Sequence, residues 1–214
     1  IDIAIKYQYQ SQAAFTRAFK NMYGTTPGKY QKNREHFILL QKKRLTEESI
    51  RHLTEGISLE PEIMIKNEFK VVGMVYYGNN QNGEIPELWG KFNKRVGAIK
   101  GKVNPDTFLG VCEYVDILTN ESEFSYIACV EVKSLDNIPD KMVSHVVPSN
   151  LYAVFTHKGP AVELDKTYRY IHGIWFPESD YEPINADDFE LYDPRFNNNR
   201  DSEMEIYIPI QKTN

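Results

Sequence analysis

The run DFELYD, residues 188–193, places a glutamate between Phe189 and Leu191. A carboxylate inside an apolar strand is costly to bury unless something compensates it. A cationic ligand would do so, and aromatic faces would add cation–π attraction. Glu190 is therefore the first candidate for binding chemistry, with Tyr168, Trp175, Tyr192 and Tyr207 as candidate walls. Strand alternation leaves a second reading open, in which Glu190 lies opposite Phe189 and Leu191 and points to solvent. Glu205, in EIYIPI (residues 205–210), is a rival acid on the last strand. The choice between the two acids rests on register. Trp89, Phe92, Tyr168 and Trp175 also stand at helix spacings that core packing alone explains, so only joint placement around an acid argues for a pocket.

A different chemistry is written at the other end, in SQAAFTRAFKNMYGTTPGKY, residues 11–30. Phe15, Phe19 and Tyr23 recur at i, i+4 and i+8 and give a helix one apolar face. Gln12, Thr16, Arg17 and Lys20 occupy the other, with Ser11 as N-cap. Gly24 can end this helix, after which Thr26 caps another with Pro27 at its first position. Residues 1–7 supply a preceding short helix and Gln8 to Gln10 a turn. Helix, turn, helix is the geometry that offers side chains to base edges and phosphates, where Arg pairs with guanine and Gln with adenine. Charge agrees: residues 1–51 hold ten Lys or Arg against four Asp or Glu, and the remainder holds 15 against 26. A basic segment on an acidic body suggests one part that meets a polyanion and another with a different task.

The elements that must position the acid repeat a pattern. IMIKNEFKVVGMVYYG (63–78) predicts one or two strands, and Pro86 opens a helix with Leu88, Trp89, Phe92 and Val96 inward. Strands follow at 107–115 and 123–132. A strand at 150–159, a helix over 161–175 and strands at 187–193 and 203–210 then repeat this β-α-β-β order. Such a duplication implies a pseudo-twofold, with a groove between the two helices over a joined antiparallel sheet. Residues 34–60 are too irregular for one amphipathic helix and predict two short helices with a kink, closed by Pro61. The expected organisation is a helix-turn-helix segment over 1–34, a connector over 35–60 and a large α+β domain over 61–214.

Other classes are set aside. No stretch approaches the run of about 20 apolar residues that a membrane helix needs. Cys112 and Cys129 sit in β-like runs and read as reduced core thiols, which fits a cytoplasmic location. The five histidines (36, 52, 145, 157 and 172) form no metal-ligand cluster, so no metal and no cofactor are expected. The chain opens inside a helical pattern (Ile1, Ile3, Ala4, Ile5) with neither an initiator Met nor a signal peptide, which predicts that something precedes it.

IAIKYQYQSQAAFTRAFKNMYGTTPGKYQK (3–32) resembles the second helix-turn-helix of AraC/XylS-type activators, through Ile3, Ala4, Tyr9, Ser11, Phe15, Arg17, Phe19, Lys20, Gly24, Thr26, Pro27 and Tyr30. Gln8 stands where Gly is usual. The resemblance implies Gln12, Thr16 and Arg17 toward bases, and Ser11 and Lys20 toward phosphate. Residues 62–210 resemble the GyrI-like effector-binding domain, through YAVFTHKGP, TYRYIHGIWFPESDYEP, DFELYD and EIYIPI. That resemblance implies a groove glutamate ringed by aromatics, at Glu190, receiving lipophilic cations. Together they imply a ligand-responsive transcription regulator rather than an enzyme. The implied partners are DNA, an aromatic or cationic effector and RNA polymerase, and not a membrane. The alternatives are a GyrI-like hydrolase of electrophilic small molecules, with Glu190 and Tyr168 as its pair, and a gyrase-inhibitor-like protein-binding module.

Overall fold

The computed structural model describes residues 12–23, 26–28, 56–114 and 123–213. The expected helix over 1–7, Ser11 and the connector up to residue 55 lie outside them. Helix α1, Gln12–Tyr23, forms where its period predicts. From Gly56 onward the chain is joined to the large sheet: Ser58 N–H donates to the Thr156 carbonyl at 2.9 Å, and Lys158 N–H to that of Gly56 at 2.8 Å.

The rest is a mixed α+β body built on one antiparallel sheet. Its elements are β1 (Glu62–Lys66), β2 (Phe69–Gly78), α2 (Glu84–Asn93), β3 (Phe108–Glu113), β4 (Phe124–Val132), β5 (Val143–Val147), β6 (Asn150–Lys158), α3 (Leu164–Tyr170), β7 (Tyr181–Pro183), β8 (Asp188–Tyr192) and β9 (Glu203–Lys212). The strand order is β1-β6-β9-β8-β3-β4-β2-β5, and β7 adds to β9. Read outward from the β3–β8 seam, this order is a palindrome. The unit β2-α2-β3-β4 is repeated by β6-α3-β8-β9, as the sequence predicts. The outer strands are exchanged: β1 pairs with β6 of the second unit, and β5 with β2 of the first.

Local chemistry explains where elements begin and break. The expected start of α2 at Pro86 comes two residues earlier, at Glu84. Asn80 Oδ1 accepts from Ile85 N–H at 3.0 Å, and Gly83 supplies the left-handed entry at φ 79°. Pro86 then sits in the first turn, where its missing N–H costs nothing. After α3 the helix continues as a π-helical turn, Ile171–Trp175, and a short turn, Phe176–Glu178. The sequence reading omits β5 and β7. One is a five-residue strand at the end of the sheet, and the other has three residues ending in a proline, which is confined to edges.

Three apolar clusters hold the body together. Val72, Leu88, Phe92 and Val130 pack beneath α2. Phe155, Ile171, Trp175 and Ile206 pack beneath α3. The third cluster fills the sheet's other face, where Val71, Val111, Tyr152, Phe189 and Tyr207 meet across the seam. Each fully buried side chain of this size contributes roughly 1.5–3 kcal/mol.

Candidate functional site

The site is built on the seam. Register pairs Phe108 with Tyr192, Gly110 with Glu190 and Cys112 with Asp188. By the two-residue period these six positions share the face below α2 and α3, while Leu109, Val111, Phe189 and Leu191 face the third cluster. Gly110 and Glu190 stand opposite each other at the centre of this paired stretch. A Cβ on Gly110 would collide with the Tyr126 hydroxyl and come within 2.6 Å of Glu190 Oε2. Glycine there is what makes room for the acid.

Glu190 is 7% exposed. Three hydroxyls donate to its carboxylate: Tyr168 to Oε1 at 3.0 Å, Tyr126 to Oε2 at 3.0 Å and Tyr192 to Oε2 at 3.4 Å. Trp89 Nε1–H donates in turn to the Tyr126 oxygen at 3.1 Å. Burial, helped by the charge of Asp188, pushes the Glu190 carboxyl up to about 7, against the lowering effect of the three hydroxyls. The hydroxyls themselves are held well above the ordinary tyrosine range by burial and by Glu190, so they remain donors. The arrangement poises a buried acid between its neutral and charged forms. Among the described residues that line it, the basic ones, Arg17 and Lys20, come from α1.

Above this floor lies a trough of about 1930 Å³ between α1, α2 and α3, with Trp89, Phe108, Phe124 and Phe196 on its walls. Its ring geometry is close: Tyr192 packs edge-on to Trp89 at 5.2 Å and to Phe196 at 4.9 Å. Among the described residues no cluster of His, Cys, Asp and Glu could hold a metal ion, and no helix is long and apolar enough to cross a membrane.

Of the residues singled out in the sequence, the trough gathers Glu190, Tyr168 and Tyr192. Trp175, Tyr207 and Glu205 lie elsewhere. The π-helical turn interrupts the even helical period, and Trp175 ends beneath the helix, 5.2 Å from Phe155. Tyr207 is in register with Phe189 and stacks on it at 4.3 Å, on the closed face of the sheet. Glu205 shares that face, bound by Arg195 at 2.7 Å and by the Tyr207 hydroxyl at 2.8 Å. Register thus selects Glu190 over Glu205 as the trough acid. Sequence reasoning missed Asp188, Gly110 and Tyr126. Asp188 was legible, since alternation along DFELY puts residues 188, 190 and 192 together once the strand is granted.

On α1 the expected polar face is turned inward. Thr16 is 2% exposed, because α1 packs on α3 and the turn after it. Ala13, Arg17 and Lys20 line the trough. The side chain of Gln12 lies outside the description.

A buried acid at the centre of a duplicated sheet, under an aromatic trough, defines a small-molecule-binding module. The chain belongs to the family described as GyrI-like small molecule binding domain, matched over residues 59–211. It is 36% identical over 155 residues to the transcriptional regulator BrlR of Pseudomonas aeruginosa, a match covering 72% of this chain and 56% of BrlR. The chain thus spans little more than half the length of that relative. In fold it is similar to the structure of SAV2435 bound to tetraphenylphosphonium, with 17% identity, 71% of this chain and 94% of that one covered, and a TM-score of 0.56. It is likewise similar to the EcmrR C-terminal domain, with 19% identity, 72% and 98% covered, and a TM-score of 0.55.

Proposed function

We propose that this chain is part of a ligand-responsive, DNA-binding transcription regulator, whose trough binds a lipophilic aromatic cation and whose α1 belongs to the DNA-reading segment. The observation that carries the binding half is Glu190, an acid buried among three tyrosine hydroxyls with aromatic walls around it. A delocalised cation over those rings would restore the charge compensation that burial removes. The likeness to SAV2435, a structure with tetraphenylphosphonium, and to BrlR supports this reading. The DNA half rests on the helix-turn-helix pattern of residues 1–30 and its basic charge, with RNA polymerase as the further partner. Titration with tetraphenylphosphonium, followed by the fluorescence of Trp89 and Trp175, tests it. Saturable binding is expected for the parent and a loss of at least about a hundredfold for Glu190→Gln, in line with removing a desolvated charge partner. Absence of binding in the parent overturns the cation reading.

Hydrolysis of an electrophile has one observation in its favour, the Tyr168 hydroxyl 3.0 Å from Glu190 Oε1. Product analysis after incubating the chain with an epoxide decides it.

A further inference from the structure

α1 already brings a cation to the trough. Arg17 Nη1 lies 3.8 Å from Asp188 Oδ2, and its guanidinium stands over the Tyr114 ring at 5.8 Å. Lys20 Nζ reaches the Asn79 carbonyl at 3.5 Å and stands over the Phe124 ring at 5.7 Å. Ala13, Thr16, Arg17 and Lys20, at i, i+3, i+4 and i+7, form a single helix face. Three of the four line the trough, and Thr16 is buried. Thr16, Arg17 and Lys20 belong to the face that the sequence offers to DNA.

Resting on the reading of the trough as a cation site, we propose that α1 is the trough's own-chain occupant: Arg17 stands in for the effector at Asp188, so effector binding and α1 docking are mutually exclusive. The two cations would converge on one pair of carboxylates, Asp188 and Glu190, which are neighbours on a strand face. Arg17 also acts electrostatically on this site: burial holds the Asp188 carboxyl above its ordinary value and Arg17 pulls it back down, while burial, with a smaller push from Arg17, takes the half-buried His172 down to about 4. An occupant held by a part-exposed ion pair is weakly held, as an exchangeable stopper has to be. A cation entering the mouth displaces Arg17, and the same step frees Arg17 and Lys20 for phosphate and base edges. The coupling then needs no relay through the connector. Its two states differ in which cation sits on Asp188.

The test uses the whole chain with tetraphenylphosphonium as probe. A docked occupant taxes effector affinity by the fraction of time it is docked, so Arg17→Gln should bind the cation about three to ten times more tightly than the parent, and Arg17→Lys should return to the parent value. Hydrogen exchange of the α1 amides should speed up when the cation saturates the parent. Unchanged or weaker affinity in Arg17→Gln, or α1 amides that slow on saturation, overturns the competition while leaving the cation site intact. Failure of both parent and Arg17→Gln to bind removes the cation site and the competition with it.

Discussion

The two halves of the sheet follow one pattern and differ where they touch. At the seam the first half contributes Phe108, Gly110 and Cys112, and the second sets Tyr192, Glu190 and Asp188 against them. Both acids among these six positions come from one side. Two facing glutamates would share a single dry space and raise each other's cost of ionisation, so the duplication yields a symmetric trough with an asymmetric floor. The helices diverge in the same sense: α2 is a regular helix capped at its entry, whereas α3 passes into a π-helical turn. Repetition supplies the shape here, and departures from it supply the chemistry.

The sharpest way to break the asymmetry is Glu190→Gln. A carboxyl held up at about 7 in the fold, against 4.5 in the open chain, destabilises the folded state as pH rises between those values, by roughly 3 kcal/mol at pH 8. Thermal unfolding at pH 8 should therefore show the variant more stable than the parent, with the gain vanishing near pH 4. Over the same range, cation affinity of the parent should rise with pH until it levels off above about 7, because the charged form binds.

Gly110→Ala removes the asymmetry from the other side. Its methyl meets the Tyr126 hydroxyl and the Glu190 carboxylate, and overpacking of this kind costs about 1–3 kcal/mol. Calorimetry should give a melting temperature several degrees lower, with cation affinity reduced at least about tenfold. Tyr168→Phe is gentler, at about 1 kcal/mol for one hydrogen bond. With one hydroxyl fewer, the midpoint of the affinity–pH curve should move upward.

The smallest effect concerns His145, on β5, whose Nε2 is 2.6 Å from Asp187 Oδ2 and whose Nδ1 is 3.4 Å from Glu113 Oε1. The hydrogen bond to Asp187 raises its titration above the usual 6.5. Its stabilising charge is complete below pH 6.5 and lost as pH climbs through the raised value. Replacing His145 by Gln should flatten that limb of the stability–pH curve by a fraction of a degree to a few degrees, and leave cation affinity unchanged.

Much of the frame was legible from periodicity. The duplicated unit, the inward Leu88 and Phe92, and the strands that carry Glu190 and Glu205 all follow from apolar spacing. Placement beyond one element was harder to read. The choice between Glu190 and Glu205 depends on Phe189 pairing with Tyr207, a contact between strands that no local pattern encodes. Trp175 fits an ideal helix period and was diverted by a π-helical turn. β5 is too short and too evenly mixed to stand out, since its pairing with β2 is what makes it a strand. On α1 the sequence expects Thr16, Arg17 and Lys20 on an open polar face, yet Thr16 is buried and Arg17 turns to Asp188, an acid more than 150 residues further along the chain that no local pattern links to the helix.

The exchanged outer strands have a mechanical consequence. β1 ties the start of the first half to the second through five paired positions, and β5 ties the second back to the first through five more. Prising the halves apart like a hinge would tear both ladders together with the seam. The sheet therefore behaves as a riveted plate of constant width, and any guest must be admitted by movement of the helices laid across it.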